Sequence, residues 1–193
     1  MAQIEPLFTR ATLLASLASQ ERDVAEFFSS LSPDEFVLRV GDAWTPSEHL
    51  QHLSIAVSAV ARGLSISPWI LRLRFGRARQ PSRSFVALRD DYRERLTRGG
   101  RASGRFVPPR ERLSPEQATG RQGQILARWE RVNSRLVASL EPWSDGNLDR
   151  IRLPHPILGK ITTREMLFFI IYHGHHHIAA AKSRLPRFSQ AGT

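Results

Sequence analysis

Apolar residues recur at intervals of three, four and seven along four long stretches of the chain, and each stretch predicts an amphipathic helix. In the first, about 7–31, the stripe is Leu14, Leu17, Val24, Phe28 and Leu31. In the second, about 45–63, it is Leu50, Leu53, Val57 and Val60. The third runs from Ser114 to about Glu141 and carries Ile125, Trp129, Val132, Leu136 and Leu140. In the fourth, Thr162 to about Leu185, a turn of about 100° per residue brings Met166, Phe169, Ile170, His173, His177, Ala180 and Ala181 into one sector.

Three of these stretches begin with a hydroxyl cap followed three residues later by Glu or Gln: Thr45 with Glu48, Ser114 with Gln117, and Thr162 with Glu165. Pro142 and Pro186 end the third and fourth. The same signature at Ser32-Pro33-Asp34-Glu35 predicts a short helical turn. Residues 64–113 are less regular. Ser67-Pro68 opens a short helix with Trp69, Ile70 and Leu73 on one face and Gly76 near its end, and Phe85 to Leu96 forms another. Arg79 to Ser84 and Arg98 to Gly104 read as mobile loops, Pro142 to Asn147 as a turn, and Leu153 to Gly159 as a loop. With no internal repeat, the expectation is an all-α single domain over residues 1–193. It is most simply a four-helix bundle with a long Arg-rich connection between helices two and three.

Charge changes this picture only locally. The net charge is +10, but residues 72–112 hold thirteen arginines against four acids, which accounts for +9 of it. A basic segment of that kind admits a nucleic-acid partner, and a non-catalytic bundle binding nucleic acid through it is the alternative function. The segment contains no helix-turn-helix, zinc finger or other recognisable reader, so nucleic acid is the disfavoured partner. Attachment to a membrane surface through Trp69, Ile70 and Leu73 is weaker than the reading of that stretch as solvated loop or dimer contact. No apolar run approaches the ~20 residues of a membrane span. Met1 to Pro6 lack the features of a signal peptide, and a cytoplasmic protein is expected. The absence of cysteine removes disulfides, a thiol nucleophile and thiolate ligands, so any metal must be held by nitrogen and oxygen.

The candidate chemistry lies in the histidines. His173 and His177, four residues apart, sit in the middle of a stripe that should face the core, where an imidazole is costly unless its nitrogens find partners. One metal ion would serve both rings. His52, on the flank of the second helix beside Ala56 and Ala59, supplies a third arm, and three neutral nitrogens leave a coordination position open for water or substrate. The bland alternative, hydrogen-bonded core histidines, weighs most on His52 taken alone. His176 lies roughly 80° from the stripe and belongs at the rim, while His175 faces solvent. A carboxylate-bridged di-iron centre needs Glu-x-x-His pairs on two helices, and neither Glu48 nor Glu165 supplies one. His176 and His155 are the candidate catalytic residues, as proton relays, and arginines of 72–112 are candidates for holding an anionic small-molecule substrate.

Three motifs taken together, Trp44-Thr-Pro-Ser-Glu48-His-Leu-Gln-His52-Leu, His155-Pro-Ile-Leu-Gly159-Lys-Ile-Thr162-Thr-Arg-Glu165, and His173-x-x-His176-His177, resemble the DinB-like family of metal-binding four-helix bundles. The likeness covers both ends of the chain and adds nothing for 64–113. It implies a divalent ion such as zinc or nickel on His52, His173 and His177, and often a homodimer. Some members are thiol-dependent transferases or isomerases using low-molecular-weight thiols, so a metal-dependent transferase or hydrolase acting on a small substrate is the expected function. In the sulfoxide-synthase branch an acid follows the last histidine by two; here that position is Ala179.

Overall fold

The computed structural model describes residues 8–186; residues 1–7, with the Met1 to Pro6 stretch read above for a leader, and 187–193 lie outside the described residues. The chain is mostly α-helical. Its elements in order are α1 (Arg10–Ser29), α2 (Pro33–Val37), α3 (Pro46–Leu64), α4 (Pro68–Phe75), α5 (Phe85–Thr97), a 3-10 turn (Gly104–Phe106), α6 (Pro115–Leu140), α7 (Asp145–Arg150), strands β1 (Arg152–His155) and β2 (Gly159–Thr162), and α8 (Thr163–Lys182). Among the described residues, no single helix is long and apolar enough to cross a membrane.

The four long helices follow from the apolar spacing. Helix α3 packs against α6 and α8, and α1 packs against the same two. Their buried faces meet through Leu13, Leu17 and Phe28 of α1, Leu50 and Leu53 of α3, Trp129 and Leu136 of α6, and Met166 and Ile170 of α8. Leu14, expected on the first stripe, is half-buried, and Leu13 takes the inward place one residue earlier. Fully buried Trp129 keeps its indole N–H satisfied by donating to the Glu21 carbonyl at 3.1 Å.

Capping fixes where the two histidine-bearing helices begin. Thr45 accepts from the Glu48 amide at 3.2 Å while Glu48 accepts from the Thr45 amide at 2.9 Å and from the Arg39 guanidinium at 2.5 Å. Thr162 and Glu165 repeat the exchange at the start of α8, and the second Glu165 oxygen accepts from the Arg83 amide at 2.9 Å and its Nε at 2.7 Å. Both glutamates are committed to helix starts.

Several sequence expectations change. The loop over 153–159 is an antiparallel hairpin, in register from Arg152 opposite Thr162 to His155 opposite Gly159. Leu153 and Ile161 turn inward, and Gly159, at φ 75°, closes the three-residue connection. Four-residue strands, the first containing Pro154 and followed at once by Pro156, were too short for an alternation to be read. Residues 145–150 form a helical turn capped by Ser144, where a plain turn was expected. The 79–84 segment is tied down rather than free: the Ala78 amide bonds the Arg150 carbonyl at 2.9 Å, Ser82 donates to Asp149 at 2.7 Å, and Arg83 pairs with buried Glu165. Ser67 makes no side-chain cap, and α4 buries Leu71 while Trp69 and Leu73 are exposed at 69% and 76%. Among the thirteen arginines of 72–112, Arg83, Arg89, Arg95, Arg98 and Arg110 are in ion pairs within the molecule.

Candidate metal centre

On α3 the spacing of three puts His49 and His52 about 60° apart on one side of the helix, and on α8 the spacing of four stacks His173 and His177. The packing of α3 on α8 brings the two pairs face to face. All four rings are buried. Atoms of His52, His173 and His177 that can ligate a metal lie within 4.8 Å of one another.

Proton bookkeeping shows what this cluster lacks. His52 Nδ1 is 2.7 Å from the Phe106 carbonyl, which can only accept, so the neutral ring carries its hydrogen there and presents a lone pair at Nε2. That lone pair faces His173 Nε2 at 3.2 Å, and His173 Nε2 in turn lies 2.9 Å from His177 Nε2. If His173 donates to His52, it has no lone pair left to accept from His177. The two contacts cannot both be ordinary hydrogen bonds. Three nitrogens each ~2.0–2.1 Å from one ion at tetrahedral angles would stand roughly 3.3 Å apart, close to the spacings seen. The donor set therefore fits a divalent cation, and these three histidines could hold one.

Burial, the largest influence on each ring, drives the histidine pKa values down. His173 and His177 fall well below the ordinary value, further lowered by neighbouring histidines. His52 is lowered despite the opposing pull of its bond to Phe106, and His49 is pushed down to about 3, with Arg184 adding to the effect of burial. Neutral imidazoles are the ligating form.

His49 is the functional residue that sequence reasoning passed over. Its Nδ1 lies 2.7 Å from His177 Nδ1, on the side of His177 away from the cluster. With the His177 Nε2 lone pair directed at His173, the hydrogen on His177 Nδ1 donates to His49, which fixes the His177 tautomer. The signal was the i, i+3 spacing from His52. Two ring nitrogens of the cluster stay buried without a hydrogen-bond partner among the described residues, His49 Nε2 and His173 Nδ1. Trp44 covers one side of the cluster, its ring centroid 4.9 Å from that of His52 and 6.0 Å from that of His177, and Phe169 stacks on His173 at 4.5 Å.

A cavity of about 290 Å³ opens beside the centre, with His52 and His173 in its wall together with Tyr92, His155 and Phe169. The Tyr92 hydroxyl pKa is raised by burial. His155 Nδ1 accepts from the Ile157 and Leu158 amides at 3.1 and 3.0 Å, so its hydrogen resides on Nε2. Burial lowers its pKa to about 4, with Arg95 contributing. His176 is half-buried, its ring centroid 5.2 Å from that of His177, and is not in the cavity wall; His175 is exposed.

The profile described as the DinB superfamily matches residues 16–181, a span that includes every histidine of the cluster and the cavity wall. No curated protein and no solved structure matches the chain. A match over so much of the sequence, taking in both histidine-bearing helices, settles the family: the chain belongs to the DinB superfamily.

Proposed function

We propose that this protein is a metal-dependent enzyme in which His52, His173 and His177 hold one divalent ion, zinc or nickel, beside a chamber for a small substrate. The observation that carries the reading is the meeting of three Nε2 atoms of neutral rings, 2.9 and 3.2 Å apart, two of them on rings in the wall of a cavity. A divalent ion bound there supplies a Lewis acid that makes a thiol or a water molecule acidic enough to lose its proton near neutral pH. The reaction that suits it is transfer of a low-molecular-weight thiol to an electrophile, or hydrolysis.

The chain's own residues then have separate tasks. Trp44 and Phe169 keep bulk water from the ligating rings. His49 holds the His177 tautomer, and the Phe106 carbonyl holds that of His52. His155, fixed as a donor at Nε2, holds a proton at the cavity wall, and His176, half-buried beside His177 and outside that wall, is the second proton-handling group. The same reading takes the chain as one cytoplasmic domain, a four-helix bundle of DinB type with the Arg-rich segment connecting α3 to α6, and as a homodimer.

The test is metal analysis of protein purified without added ions, then titration of stripped protein with zinc and with nickel. One equivalent should bind. At ~1,000 times Kd it should stabilise the fold by about 4 kcal/mol, a rise in Tm of roughly 8–16 °C for a chain of this size. His52→Ala and His173→Ala should each abolish the shift. Failure of every first-row divalent ion to bind would remove the proposal's foundation; a bound ion would be followed by a thiol-transfer screen.

A further inference from the structure

The cavity carries a second chemical signature, separate from the histidines. Much of its wall is apolar, including Ala56, Val60, Leu71, Phe75 and Leu153, and among the described residues no carboxylate lines it. Three arginines also line it, Arg62 on α3 and Arg101 and Arg105 on the segment after α5. All three are exposed, and among the described residues none is in an ion pair, whereas Arg83, Arg95 and Arg164 each engage acids. Among the described residues Arg62 donates only to Ser58 Oγ, at 2.9 Å, and Arg105 lies over the Phe106 ring at 5.2 Å.

Uncompensated positive charges at the edge of a low-dielectric chamber concentrate the local field and draw in anions. A guanidinium prefers a carboxylate, which it can bind with two parallel hydrogen bonds. The apolar wall disfavours a ligand that is polar throughout. We propose that the cavity binds a small organic acid, its apolar body against the α3 and β1 walls and its carboxylate held at the mouth by Arg101 and Arg105, with Arg62 beside them. The assignment of this acid as the substrate rests on the reading of the histidines as a metal centre; the ligand class rests on the cavity alone. The segment carrying Arg101 and Arg105 is also pinned to that centre, because Phe106, which follows Arg105, accepts the Nδ1–H of His52. An acid gripped at the mouth is thereby set at a fixed reach from the His52 and His173 rings.

The experiment compares phenylacetate with uncharged phenylacetamide by calorimetry, on metal-loaded and on stripped protein. Phenylacetate should bind at least tenfold more tightly than the amide in both forms. The exposed Arg101→Gln/Arg105→Gln double variant should lose at least tenfold in phenylacetate affinity while keeping its metal content, and Ala59→Phe, which fills the chamber, should weaken both probes. Equal affinity for acid and amide, no binding of the acid, or indifference to Ala59→Phe would overturn the proposal. So would binding that vanishes on stripping yet survives the arginine substitutions, because the ion itself would then be holding the carboxylate. Arginine-dependent binding in a protein that takes up no metal would leave this proposal standing and sink the metal reading.

Discussion

His49 and His177, 128 residues apart in sequence, face each other through their Nδ1 atoms at 2.7 Å, across the contact between α3 and α8. One hydrogen serves this pair, and its position decides which nitrogen of His177 carries the lone pair. If His177 donates, its Nε2 is free to ligate and His49 is left with a hydrogen on a buried Nε2 that has no partner. The fold thus accepts an unsatisfied group on one ring and directs the other.

The expected consequence is a split between affinity and stability in His49→Leu. Metal affinity should fall by roughly 10–100-fold, with one equivalent still bound at saturation, as for loss of other outer partners of ligating histidines. Stability of the stripped protein should change little, because the unpartnered N–H that disappears with the ring, a cost of about 1–3 kcal/mol, is replaced by the His177 Nδ1–H, which loses its acceptor. Chelator competition reads the first effect and urea unfolding the second. An unchanged Kd would reduce the His49 contact to packing.

How much of this could be read from residues alone depends on length scale. The long helices were legible because stripes such as Ile125, Trp129, Val132 and Leu136 repeat over many turns, and because Thr45 with Glu48 and Thr162 with Glu165 mark their starts. The proximity of His52, His173 and His177 was expected from which faces should be buried. What escaped was short or non-local. The hairpin has four residues per strand and two prolines, and the anchoring of 79–84 depends on Arg83 finding Glu165, a pairing 82 residues apart with no periodic signature. His49 was overlooked because its one signal, the i, i+3 spacing from His52, does not distinguish a ring that partners another imidazole from one that only packs in the core.

Gly174, between the candidate ligand His173 and the exposed His175, sits at a close approach of α8 to α1. A Cβ at this position would stand 1.8 Å from Gln20 Nε2 and 2.7 Å from Gln20 Cδ. The Gln20 amide is the flexible end of a side chain, but it is buried, with neither its nitrogen nor its oxygen bonded among the described residues, so it has little room to yield. Alanine gains up to ~1 kcal/mol in helix propensity, against ~1–3 kcal/mol for overpacking. Gly174→Ala should therefore lower Tm by a few degrees, and it should weaken metal binding by displacing α8 from α1. Adding Gln20→Ala removes the obstruction together with an unsatisfied amide, and the double variant should match or exceed the parent in thermal unfolding. A double variant no better than the single one would place the strain elsewhere.

His155 and His176 should separate in the same assay. Replacing His155 with alanine strips the acceptor from two hairpin amides, of which that of Leu158 belongs to a buried residue, and should cost about 1–3 kcal/mol. His176 is half-buried with no hydrogen bond among the described residues, and His176→Ala should stay within about 0.5 kcal/mol. Equal losses in urea unfolding would contradict the tautomer assigned to His155.

Acid should unfold the stripped protein earlier than its carboxylates require. An unfolded histidine titrates near 6.5, whereas burial holds His155 at about 4 and His49 at about 3 in the folded state, with His52, His173 and His177 also lowered. Between each folded value and about 6.5 the unfolded chain binds the additional proton, so stability rises with pH across that window and is flat above it. For His155 alone the shift corresponds to about 3 kcal/mol, lost progressively as pH falls from 6.5 towards 4. Asp91 and Asp149, whose pKa values stay below the usual carboxylate range despite burial because of bonds to Arg95 and Arg83 and to Arg164, lose their contribution only at lower pH. Urea midpoints of stripped protein should thus fall steadily from pH 7 to pH 5 while those at pH 7 and 8 agree. Bound metal should steepen the decline, since ligation needs all three rings unprotonated and each proton taken up competes with the ion. A midpoint constant from pH 5 to 8 would mean that the rings are not buried as neutral groups, and the cluster could then not be the ligand set assigned to it.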